Sequence, residues 1–258
     1  MKNKILDILE KTYENPTLRK TTVPLFMSNP GTGKSVTIKE FAQSKHVNML
    51  KLTLSQRMPN EVAGMVMPNS STSKLDVFDS YELSSLKDGD ILFIDEVFNG
   101  TLKQTLDAFL NILEDRKLPS GASLADIMIV AASNPQGLIN ITPQIKERFI
   151  RYDLHFSAKE FKDYLNDKYG MPYKISDHLC TLISKEKFEH DCWNYNTPRS
   201  IEKAINQIGS GLDSPYNDIL LPYLTIKITS PIDILNIKKD EDVEYLELLK
   251  IIIKNNNK

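Results

Sequence analysis

Nothing in the sequence narrows the possible folds as sharply as Ser28-Asn29-Pro30-Gly31-Thr32-Gly33-Lys34-Ser35. The stretch follows a short apolar run, Val23 to Met27, and leads into residues 35–44, which read as a helix. Gly31 and Gly33 let the backbone curl with its N–H groups pointing inward, and the helix N-terminus behind them adds positive potential. A strand, such a loop and a helix in that order make an anion site. Its closing residues specify the anion, because a lysine there reaches the β- and γ-phosphates of a nucleotide and a hydroxyl can ligate Mg²⁺. The predicted nucleotide-binding set is therefore Asn29, Pro30, Gly31, Thr32, Gly33, Lys34, Ser35 and Val36, with ATP and Mg²⁺ as cofactors. Ser28 stands where such loops usually begin with glycine. Serine is compatible with that position if its φ is negative.

Ile91-Leu92-Phe93-Ile94 reads as a strand buried on both faces, and Asp95-Glu96 closes it. Ligands of open α/β sheets collect at the carboxyl ends of strands. Asp95 is expected to hold Mg²⁺ together with Ser35, directly or through a water. Glu96 is expected to orient and deprotonate the attacking water. An apolar run ending in two acids is also an ordinary solvated strand end. It is the phosphate loop upstream that favours the catalytic reading.

Further signals alternate along the chain. Residues 2–13 place Ile5, Leu6, Ile8 and Leu9 at helical spacing, ending before Asn15-Pro16. Val47–Leu54, Ile127–Ala132 and Phe149–Leu154 read as further strands. Residues 101–115 form the clearest helix, with Leu102, Leu106, Phe109, Leu110 and Leu113 on one stripe. Residues 56–82 mix signals: a short helix near Glu61, then the polar tract Asn69–Lys74, which reads as a mobile loop. Strands alternating with helices predict a three-layer α/β core with a parallel five-stranded sheet over residues 1–156. From residue 157 the pattern becomes helical, opening on the capping signal Ser157-x-x-Glu160. Helices are expected to the neighbourhood of Gly170 and over 175–188 and 197–209, giving a small, mainly helical lid over 157–258. In the variable tail, Leu220–Ile228 reads as a strand, Val243–Ile253 as a helix and the last residues as disordered.

Three polar residues complete the candidate site. Asn134, in Ser133-Asn134-Pro135, closes a strand and is placed to position the lytic water, or else simply makes an Asn-Pro turn. Thr142-Pro143 reads as a helix cap with proline at the first helical position. Arg148 follows at a helix-to-strand junction, where it either reaches a neighbouring subunit's nucleotide or makes a surface salt bridge; Arg151 is the fallback. Thr197-Pro198-Arg199 repeats the cap. It sets Arg199 in a first helical turn, where a cation is mildly unfavourable unless an anion such as the γ-phosphate faces it.

The ordered set NPGTGKS, FIDE, AASNP, ERF and TPR resembles AAA+ ATPases, and within them the MoxR-like branch, over about residues 20–210. The resemblance implies a P-loop ATPase assembling as a hexameric ring, with Arg148 as arginine finger and Arg199 as lid sensor. It implies chaperone-like remodelling of a protein client, beside a partner with a von Willebrand A domain. Residues 57–67 look like the insert facing the ring pore; there Met65, Val66 and Met67 either grip a polypeptide or form a buried apolar hairpin. Ser28, Glu147 and Thr197 depart from the family's usual glycine, aspartate and serine, and none of these changes removes a catalytic group.

The formal net charge of −2 gives no broad basic surface, so nucleic acid is the less expected partner. A DNA-associated motor or loader and a nucleotide-dependent scaffold are the alternatives. Cys180 and Cys192 lie outside any CxxC pair and read as free thiols. The N-terminus lacks the apolar core of a signal peptide, and no apolar run is long enough to span a bilayer, so a cytoplasmic location is expected.

Overall fold

The computed structural model describes residues 1–136, 138, 139, 141–169, 176, 180 and 197–210. The chain divides into two units, Met1–His155 and Phe156–Lys258. In the first, elements run α1 (Lys2–Glu14), α2 (Pro16–Thr21), β1 (Pro24–Met27), α3 (Lys34–Ser44), β2 (Met49–Thr53), α4 (Pro59–Ala63), β3 (Met65–Asn69), β4 (Lys74–Phe78), α5 (Tyr81–Ser84), β5 (Ile91–Asp95), α6 (Lys103–Asp115), β6 (Met128–Ser133), α7 (Pro143–Lys146) and β7 (Ile150–Asp153).

Five strands form one sheet in the order β2-β5-β6-β1-β7, every pair parallel. β5 shows why. Ile91, Leu92, Phe93 and Ile94 are all buried, alternating between two cores. Ile91 and Phe93 pack with Ile5, Leu9, Ile38 and Phe41 from α1 and α3. Leu92 and Ile94 pack with Leu106, Phe109, Ile112 and Leu113 from α6, and with Val62 and Leu83 from α4 and α5. Apolar side chains on both faces require helices on both faces, which gives a three-layer α/β architecture. Each fully buried side chain of this size contributes about 1.5–3 kcal/mol.

Because all strands are parallel, their carboxyl ends share one edge of the sheet. Register aligns Met27 with Ser133 and Thr53 with Asp95. The chain leaves β1 and returns in β2 at the far edge, while β1 itself lies between β6 and β7. The exit of β1 is thus a topological switch point, where open α/β sheets take their ligands.

Three local expectations change. Asn15-Pro16 ends α1 as expected but also begins α2, since Asn15 Oδ1 accepts from Thr17 N at 3.0 Å and Leu18 N at 3.2 Å. The same dipeptide is a stop and an N-cap with proline in the first turn. The tract Asn69–Lys74 is the turn of an antiparallel hairpin, β3 with β4, rather than a plain loop. Leu102 sits outside the buried stripe of α6, as its exposed N-cap residue.

In the second unit, Ser157 Oγ accepts from Glu160 N at 3.3 Å and a helix spans Ala158–Tyr169. A second helix spans Pro198–Ser210, capped by Thr197 Oγ1, which accepts from Ser200 N at 3.1 Å. Cys180 is buried, and its Sγ donates to Ala158 O at 3.4 Å. The expected elements at 220–228 and 243–253, the last residues, most of 175–188 and Cys192 lie outside the described residues. Among the described residues no helix is long and apolar enough to cross a membrane.

Candidate functional site

The loop after β1 turns on two left-handed residues, Gly31 at φ 74° and Gly33 at φ 91°, before Lys34 opens α3. Those angles are routine only for glycine. Asn29, Pro30, Thr32 and Ser35 are half-buried around the turn, whereas Val36 points outward, 60% exposed.

Lys34 is buried. Its Nζ donates to Ser28 O at 2.8 Å, Ser28 Oγ at 2.9 Å, Asn29 O at 3.3 Å and Asn134 Oδ1 at 3.2 Å. Ser28, which replaces the usual glycine, is therefore an acceptor for the loop lysine. Its hydroxyl also meets Thr32 Oγ1 at 2.6 Å. Asn134, at the exit of β6, is drawn to the loop through that same ammonium. Gln136 reinforces the approach, its Nε2 donating to Asn29 Oδ1 at 3.2 Å.

The acidic pair lies one strand beyond β6. Ser35 Oγ donates to Asp95 Oδ2 at 3.1 Å, and Glu96 N donates to Asp95 Oδ1 at 3.1 Å. A serine hydroxyl and a carboxylate are hard oxygen donors of the kind magnesium takes alongside phosphate oxygens. Among the described residues no group of three or more His, Cys, Asp or Glu could hold a metal unaided. The donor set thus fits Mg²⁺ arriving with a nucleotide.

Glu96 has φ 55°, a left-handed conformation that is uncommon outside glycine. Its Oε2 accepts from Ser55 Oγ at 2.9 Å and its carbonyl from Thr101 Oγ1 at 3.1 Å. Asn99 holds the other side of the crevice. Its Oδ1 accepts from Ser133 Oγ at 2.6 Å and Asn134 N at 2.7 Å; its Nδ2 donates to Asn134 O at 3.2 Å and Gln136 O at 2.7 Å. Ser55 and Asn99 carry no signal in the sequence beyond standing a few residues past strand ends. The parallel register is what brings them in.

The arginines are arranged otherwise. Arg148 leaves α7 half-buried and pairs with Glu114 of α6 in its own chain. Arg151 pairs with Asp153 on β7 at 2.6 Å. Thr142 stands at the N-cap of α7 with Pro143 behind it, but its side chain makes no capping hydrogen bond. Arg199 is exposed in the second unit, in the first turn of its helix. Met65, Val66 and Met67 of β3 are exposed, as are Leu75, Val77 and Phe78 of β4, so the hairpin is not buried.

Residues 25–149 match the family described as the AAA domain of the dynein-related subfamily. Among solved structures, a point mutant of Thermotoga maritima RuvB superposes with a TM-score of 0.58 at 17% identity, over 87% of this chain and 69% of that one. Thermotoga maritima RuvB described as a Holliday junction branch migration motor superposes with a TM-score of 0.57 at 18% identity, over 87% and 68%. Identities this low show a shared fold. No curated protein matches the chain in sequence.

Proposed function

We infer, from the match of residues 25–149 to an AAA-domain family, an ATPase that hydrolyses ATP at the crevice between the loop after β1 and the end of β5. The observation that carries this reading is the convergence of Lys34 on Asn134 at 3.2 Å and of Ser35 on Asp95 at 3.1 Å. Adjacent loop residues thus each meet a polar group at the end of a different strand. The loop amides and Lys34 bind the β- and γ-phosphates. Ser35 and Asp95 are the residues that would hold magnesium, which when bound supplies positive charge to the phosphate oxygens. Glu96 takes a proton from water as its oxygen bonds to the γ-phosphorus. The bond from that phosphorus to the β–γ bridging oxygen breaks, releasing ADP and phosphate. Asn134 orients the water, and Arg199 takes the lid-sensor role that the motif order implies.

Arg148 acts on the nucleotide of a neighbouring copy in a ring, as an arginine supplied in trans. The MoxR-like motif order supports coupling of that cycle to remodelling of a protein client, with a von Willebrand A-type partner and a hexameric assembly. The exposed β3–β4 hairpin is then the segment offered to the client. The deciding experiment is mass in solution with and without ATP and Mg²⁺, using Glu96→Gln to hold the nucleotide. A nucleotide-dependent ring supports the reading; a monomer under every condition contradicts it. A second reading, a DNA-associated motor, draws on the RuvB superposition. It expects ATPase activity stimulated by DNA and falling steeply with salt.

A further inference from the structure

Lys51 lies on β2, the strand at the sheet edge, opposite Phe93 of β5 in the parallel register. Its Nζ is 2.7 Å from Asp95 Oδ2 and 5.8 Å from the centre of the Phe93 ring. That carboxylate oxygen is the one that accepts the Ser35 hydroxyl. A lysine ammonium and a serine hydroxyl thus share one oxygen, on the sheet face that α3 covers. The Asp95 side chain is 17% exposed and the Lys51 side chain 44%. The acid is held by strand and loop, whereas the lysine can swing its head into solvent on a flexible stem.

An ammonium and a divalent cation repel, and both seek the same oxygen on the carboxylate. We propose that Lys51 competes with magnesium for Asp95: it aligns the carboxylate toward Ser35 and yields it when the metal enters with the nucleotide. Lys51 is thereby a positioning residue that sets the magnesium concentration at which nucleotide is held. The proposal rests on the nucleotide-binding reading of the crevice. Its plain alternative is an edge-strand lysine that discourages strand-to-strand aggregation, a common use of the residue at such places. That role moves solubility or stability and leaves metal dependence alone.

The test is a Mg²⁺ titration of fluorescent ATP-analogue binding to the full chain, with EDTA as the zero point. Lys51→Met is expected to lower the Mg²⁺ midpoint by about two- to fivefold, the range an exposed ion pair of this kind supports. Its affinity in EDTA should match that of the unmodified chain. Lys51→Arg keeps a cation and should leave the midpoint at or above the original. If Lys51→Met loses its cooperative thermal melt, Lys51→Gln takes its place in the same titration. A midpoint that stays or rises, with nucleotide still bound, overturns the role of Lys51 alone. No nucleotide uptake by the unmodified chain at any Mg²⁺ concentration overturns the crevice reading as well.

Discussion

At Lys34 one ammonium reaches three oxygens of Ser28 and Asn29 and a fourth on Asn134. Phosphate oxygens would offer the same donor stronger, charged partners. Lys34→Ala should therefore abolish tight ATP binding, read by titration with a fluorescent analogue; unchanged affinity would remove Lys34 from the phosphate site. Glu96→Gln keeps the side chain's size and its acceptor for Ser55 Oγ but loses the basic carboxylate. Turnover should fall about 10²–10⁴-fold while ATP remains bound, measured as phosphate release against nucleotide retained on the protein. Normal turnover would assign the base to another residue. Lys34 and Ser35 are readable from the sequence because they sit in a local pattern of strand, glycine turn and helix, and Asp95 and Glu96 because they close an apolar run downstream of that loop. Ser55, Asn99 and Lys51 are not, because their partners stand on other strands.

Two elements illustrate how local chemistry is enforced. Gly64 links α4 to β3 at φ 73° and ψ 177°, a conformation essentially confined to glycine. A Cβ there would lie 2.4 Å from the backbone oxygen of Phe78. Gly64→Ala should cost about 1–3 kcal/mol at the base of the hairpin, seen as a lower urea midpoint. The hairpin was hard to read for a related reason. Met65, Val66 and Met67 are all exposed, so β3 lacks the in-out alternation that marks a half-buried strand.

At the opposite side of the core, Arg19 of α2 grips Asp126, just before β6, through Nη2 at 2.7 Å and Nε at 3.2 Å. That hydrogen bond holds the Asp126 carboxyl below its ordinary range. A lowered folded-state value stabilises the fold above the unfolded carboxylate value of about 3.9. The contribution fades as pH falls through the folded value. Asp126→Asn should thus reduce Tm at neutral pH and flatten its decline below about pH 4. An equally steep acid decline in the variant would place the acid sensitivity elsewhere.

For the whole molecule, the pairing of Arg148 with Glu114 leaves the proposed finger held in its own chain. Under the ring reading, specific ATPase activity should rise with protein concentration, and Arg148→Ala should lower it by about 10³-fold or more. Activity strictly proportional to enzyme, at the original rate in Arg148→Ala, would put all catalytic groups in one subunit. Short-range order made the glycine turn, the two-faced strand β5 and the caps at Ser157 and Thr197 legible from residues alone, since turn geometry, burial on both faces and capping depend on near neighbours in the chain. Which side chains meet was settled by the parallel register and the order β2-β5-β6-β1-β7. That arrangement gathers Ser28, Lys51, Ser55, Asp95, Glu96 and Asn134 along a single edge, because contacts between strands depend on where each strand pairs and not on the residues adjoining it in sequence.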